Sequence, residues 1–152
     1  MGAENAVAEQ QVIHEVPHGS PAYWATVQLR DLILRKPLGL QFSPDELEAE
    51  KDAHHLACYR GERLVGCLVL QPLADGDVRM KQVAVVADLQ GQGVGTALVE
   101  QSEMLARRLG FRRMILHARE TAVLFYDRLG YSTIGDRFEE VTIPHWIMEK
   151  LL

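Results

Sequence analysis

The chain has 152 residues, 47% of them hydrophobic and 24% charged, which fits one soluble globular domain with one core. A formal net charge of −5 argues against nucleic acid, whose binding needs a clustered basic face, and no apolar run approaches the ~20 residues needed to cross a bilayer. The two cysteines, Cys58 and Cys67, belong to no CxxC or Cys/His cluster, so no metal site is expected and both read as reduced core residues.

Residues 1–10 read as a loose tail. They lack the basic start and apolar stretch of a secretory signal, and Ala6 stands where a myristoylation signal wants Ser or Thr. A cytoplasmic location is the expectation. Residues 11–152 read as a single domain. QVIHEV (11–16) is a first strand. Ser20 before Pro21 is a helix N-cap, and that helix should end before Lys36-Pro37. PLGLQFSP is a loop, and Ser43-Pro44-Asp45-Glu46 caps a short acidic helix over 44–51. HLACYR (55–60) and RLVGCLVL (63–70) flank Gly61-Glu62, a hairpin signal. His54 and His55 alternate faces, and both read as surface.

DVRMKQVAVV (77–86) is a strand ending in a continuous apolar run, as buried strands do. From Gly93 to Leu109 runs a helix with the stripe Val94, Ala97/Leu98, Met104/Leu105, Leu109; Gly110 stops it. RRMILHA (112–118) is a strand, AVLFYDRLG (122–130) a short helix, and strands follow near 131–134 and 144–150. Hairpins mixed with crossover helices indicate an α/β or α+β sheet.

The most informative residues are Gln90, Gly91, Gln92, Gly93, Val94, Gly95 and Thr96, between a buried strand and a helix. Glycines there let the backbone approach a ligand closely. The first amides of the helix have no internal partners and sit at the positive end of its dipole, so an anion such as phosphate suits the place. A tight turn alone needs fewer glycines. A dinucleotide fold wants its third glycine one residue later, and a P-loop wants a lysine that is missing.

Gln-x-x-Gly-x-Gly (90–95) after an apolar strand resembles the pyrophosphate loop of the GCN5-related N-acetyltransferase (GNAT) family. AVLFYDRLGY (122–131) is similar to that family's A-x-x-F-Y-x-x-x-G-F/Y segment, and IPHWIMEK (143–150) to its final strand. The resemblance implies a mixed, twisted sheet of about six to seven strands, splayed between the fourth and fifth and flanked by about four helices. It implies transfer of an acetyl group from acetyl-CoA to a primary amine of a small molecule or peptide, without a metal. The amides of Gln90 through Thr96 would take the diphosphate. Val83, Ala84 and Val85 would bind the pantetheine arm like an added strand. The Val85 amide would donate to the acetyl carbonyl, and Tyr126 would face the departing sulfur as an acid. Dimers are common in the family, so a homodimer is an expectation as well.

The base that takes the amine proton stays open among His117, His145, Glu120, Glu139 and Glu140, of which Glu139-Glu140 reads as a solvated loop pair. Arg119 stands where many relatives carry asparagine; a cofactor phosphate, an acidic substrate or Glu120 could each meet it. Arg30, Arg35 and the PLGLQF loop form a candidate wall of the acceptor site. That basic wall suits an anionic acceptor and the −5 charge a cationic one. A non-catalytic acyl-CoA-binding module is the alternative.

Overall fold

The computed structural model describes residues 10–152, so all but the last residue of the expected tail lies outside the described range. Seven strands form one sheet: β1 (Gln11–Val16), β2 (His54–Arg60), β3 (Arg63–Pro72), β4 (Asp77–Val85), β5 (Arg113–Arg119), β6 (Ser132–Glu140) and β7 (Ile143–Leu151). Their order is β1-β2-β3-β4-β5-β7-β6. Neighbours are antiparallel except β4 and β5, which run parallel and need a helical crossover.

Four α-helices flank the sheet: α1 (Pro21–Arg30), α2 (Pro44–Glu48), α3 (Val94–Arg108) and α4 (Val123–Arg128). Ser20 caps α1 by accepting the Tyr23 amide at 3.1 Å. The chain continues from α1 through a widened π-type turn (Asp31–Arg35) and a tight turn (Lys36–Leu38) that stops at Gly39. Ser43 and Glu46 form a reciprocal capping box on α2, which is shorter than the helix expected over 44–51. Among the described residues no helix is long and apolar enough to cross a membrane.

The main core lies between one sheet face and α3. It joins Val78 and Met80 of β4, Met114, Leu116 and Ala118 of β5, and Val94, Leu98 and Val99 of α3. The helical stripe differs from the expected one. Met104 and Leu109 are exposed, while Glu103 is buried and accepts from Lys150 Nζ and Tyr131 Oη, each at 2.8 Å. The paired carboxylate turns the helix so that Leu98, Ser102 and Ala106 face inward. On the other sheet face, Tyr23 and Val27 of α1 pack on Val16 and Ala57, and Leu29 on Cys67 and Ala84.

Three expectations need correction. His55 is buried, not on the surface: its Nε2 meets the Glu50 carbonyl at 2.9 Å. Arg30 does not line a substrate wall. It is 1% exposed and makes a two-pronged pair with Glu50 at 2.8 Å on both arms, to which Tyr23 Oη donates at 2.7 Å. Glu139-Glu140 is not a loop pair but ends β6. The β6–β7 hairpin closes on Val141 and Thr142, with φ of 52° and 63°. Two central residues at positive φ suit the twist of a hairpin, but β-branched residues rarely adopt it, which hid the turn from a sequence reading.

The feature that positions the site is a bulge in β4. Gln82 has φ of 56°, and the register with β3 shifts between Cys67 and Val69. Before the bulge Val78 and Met80 face α3; after it Val83 and Val85 do, while Ala84 turns to the α1 side. An extra residue bends a strand and breaks its ladder. Parallel pairing of β4 with β5 accordingly stops at Met80↔Leu116, and the two strands part beyond it.

Candidate active site

A cavity of about 600 Å³ opens where β4 and β5 separate. Lys81, Gln82 and Val83 line one side, and His117 and Arg119 the other. Tyr126 of α4 closes one end, and Glu140 and His145 of the β6–β7 hairpin another. Leu34, Arg35, Leu38 and Leu40, from the turns after α1, roof it. Of the expected acceptor wall, Arg35 and part of the loop are therefore in place; Arg35 also pairs with Glu46 at 2.9 Å.

The Tyr126 ring packs edge-on against Phe125 and Tyr131. Its hydroxyl makes no hydrogen bond to the described residues, and burial pushes it up to about 12. It is a neutral donor at any physiological pH. Tyr131 is core.

Four strands bring together a cluster that the sequence kept apart. His117 Nδ1 lies 3.1 Å from Glu140 Oε1 and 3.2 Å from Arg79 Nη2. It can donate to the carboxylate or accept from the guanidinium, not both at once. His145 is buried, and its Nδ1 donates to the Ile143 carbonyl at 2.7 Å. Its Nε2 is therefore the proton-accepting atom, and it faces Glu140 Oε2 at 3.5 Å. A proton arriving there would turn a bare contact into an ion pair. Glu120 is outside the cluster, paired with Arg137 at 3.1 Å. Glu139 is exposed and does not line the cavity. Arg79 and Lys81 went unremarked in the sequence. The available signal was their spacing of two, alternating with Val78 and Met80, which sends both to the face away from α3.

The glycine turn sits outside the cavity lining, at the start of α3. Gly91 and Gly93 have φ of 78° and 92°, and a Cβ on either would meet nothing within 4 Å. The Gln92 amide is used inside the turn, donating to the Leu89 carbonyl at 3.3 Å. The amides of Gly93, Val94, Gly95 and Thr96 have no backbone partner among the described residues; the first helical bond is Ala97 to the Gly93 carbonyl at 3.0 Å. Gly95 has a packing duty as well, because a Cβ there would lie 3.4 Å from the Phe125 ring. Gln90 Nε2 donates to the Val85 carbonyl at 3.1 Å and ties the turn to the strand end. Val86 donates to Val65 of β3 at 2.9 Å, so strand alternation points the Val85 amide to the opposite edge, where β5 has parted. Ala84 instead sits opposite Cys67 of β3 and is buried.

A family model for the acetyltransferase (GNAT) domain matches residues 36–152. The chain belongs to the GNAT acetyltransferase family. Membership supports acyl transfer from CoA to an amine. A relative in Bacillus subtilis, itself an uncharacterized N-acetyltransferase, is 33% identical over 107 residues, covering 70% of this chain and 74% of its own. An uncharacterized acetyltransferase of Streptococcus pyogenes is 36% identical over 64 residues, and the match spans 44% of that protein's length. Among solved structures, a Lactobacillus plantarum protein provisionally assigned as an N-acetyltransferase superposes with a TM-score of 0.82 at 26% identity, covering 93% of this chain and 98% of that one. A GNAT acetyltransferase from Elizabethkingia anophelis, solved with acetyl-CoA bound, shares the fold at a TM-score of 0.73 and 16% identity, over 93% and 98% of the two chains. The GNAT sheet, with its gap between the fourth and fifth strands, is the one expected from the motifs.

Proposed function

We propose that this chain transfers an acetyl group from acetyl-CoA directly to a primary amine of a small molecule or peptide. The observation that carries the reading is a set of groups without partners among the described residues on neighbouring elements: the amides of 93–96, the turned-out Val85 amide at the end of β4, and the Tyr126 hydroxyl in the cavity lining. Diphosphate at the glycine turn fits open space, free donors and a helix dipole. The amide-bearing arm fits the exposed edge at Val83 and Val85, so Ala84 contributes no free main-chain group there.

Each remaining role follows from chemistry that the family supplies and atoms that this chain presents. As the amine attacks the thioester, charge grows on the carbonyl oxygen, and the Val85 amide stabilises it. Tyr126 stabilises the departing sulfur. With its hydroxyl near 12 and a free thiol near ~8.5, it acts by hydrogen bonding first and full proton transfer second. A primary amine near ~10.4 arrives protonated. His117 takes its proton: Glu140 fixes the tautomer through Nδ1, leaving Nε2 without a protein partner among the described residues. His145, beside the same carboxylate, gives the excess proton a second resting place.

Incubation of acetyl-CoA with polyamines, amino acids, aminoglycosides and peptides, read as free thiol release, tests the reading. At least one class should turn over. Silence across the panel with CoA still binding would assign the chain to the non-catalytic CoA binders.

A further inference from the structure

The cavity is basic although the protein is acidic. Arg35, Arg79, Lys81 and Arg119 line it, against Glu140 as the one carboxylate among its lining residues, while the whole chain carries −5. Arg35 is already paired with Glu46, and Arg79 leans on His117 and Glu140. Lys81 and Arg119 have no hydrogen bond or ion pair among the described residues, and the Arg79 Nε is buried without a partner. Half-buried cations without a direct ion-pair partner are costly. Burial pulls the Lys81 ammonium below the usual lysine range, against the opposing attraction of Glu50.

These cations do not serve the glycine turn. Arg79 and Lys81 precede the β4 bulge and alternate with Val78 and Met80, which face α3. His117 and Arg119 likewise alternate with Leu116 and Ala118. All four thus lie on the sheet face opposite α3, under the roof of Leu34, Leu38 and Leu40. Arg119 is also the cross-strand neighbour of His145, beside the proton-accepting cluster.

We infer that the acceptor of this acetyltransferase carries a carboxylate or phosphate in addition to its amine, and that Lys81 and Arg119 hold that anion on the sheet face opposite α3. This rests on the transfer reading above. The geometry also serves the chemistry, because a cationic chamber favours the neutral, nucleophilic form of the amine. Charge-assisted hydrogen bonds to half-buried cations are strong enough to set specificity.

Matched amines test it. L-amino acids are compared with their carboxamides, and O-phosphoethanolamine with ethanolamine, by thiol release. The anionic member of a pair should have kcat/KM roughly tenfold higher or more. The carboxylate and phosphate arms identify which anion fits. In Lys81→Met/Arg119→Met the ratio should fall towards one, and Lys81→Arg should restore it. Equal rates within each pair, or a preference for the neutral amine, would overturn the inference. A binding arm separates it from the transfer reading. CoA-saturated protein is titrated with N-acetyl-L-amino acids and with inorganic phosphate in a calorimeter. If no amine turns over, transfer fails. The anion site then stands if binding is seen and the double variant loses it, and falls if there is no binding or the variant binds equally.

Discussion

Tyr126 carries the sharpest predictions. Tyr126→Phe removes one oxygen from a packed aromatic group and should leave CoA affinity unchanged while kcat drops roughly 10²-fold or more, measured by calorimetry and thiol release side by side. Its pH behaviour has a definite sign. The protonated hydroxyl is the active form, and burial raises its pKa from an ordinary ~10 to about 12. The rate should therefore show no loss assignable to this group between pH ~8 and ~10.5, whereas a solvent-exposed tyrosine would titrate there. A fall centred near ~10 in wild type but not in Tyr126→Phe would contradict the assignment. Glu140→Gln should keep CoA affinity and lower kcat/KM roughly 10²-fold, because the tautomer of His117 is no longer fixed. Retention of full activity would remove His117 and Glu140 from the reaction.

At the scale of elements, the bulge at Gln82 and the close approach of α3 to β3 shape the site. A Cβ on Gly66 would lie 2.8 Å from Leu98 Cδ1 and 2.9 Å from Val94 Cγ1. Gly66→Ala should thus push the first turn of α3 outward and cost about 1–3 kcal/mol, checked by urea denaturation. Glu50→Ala would strand the buried Arg30 and should cost about 3–5 kcal/mol in the same measurement. Local patterns made some of these elements legible. The alternation of β3, the caps at Ser20 and Ser43 and the glycine turn before α3 all depend on neighbours in sequence. What was illegible depends on distant partners. His55 is buried because Glu50 offers it a carbonyl, and Glu103 because Lys150 and Tyr131 reach it. The β6–β7 hairpin turns on Val141-Thr142, which no turn preference would choose.

Over the whole molecule, charge is segregated: acidic in sum, basic in the chamber between the strands. Composition registers only the sum, which suited a cationic acceptor, while the wall expected from Arg30 and Arg35 suited an anionic one. The motifs at 90–96 and 122–131 carried the fold through their resemblance to the GNAT family. They could not carry the cluster of Arg79, His117, Glu140 and His145, which exists only once four strands, β4, β5, β7 and β6, are aligned. The measurement that bears most directly on the account is a crystal structure with CoA bound. It should show diphosphate oxygens within hydrogen-bonding distance of the amides of Gly93 to Thr96, and the thiol beside the Tyr126 hydroxyl. Diphosphate bound elsewhere, with those amides left to water, would contradict it.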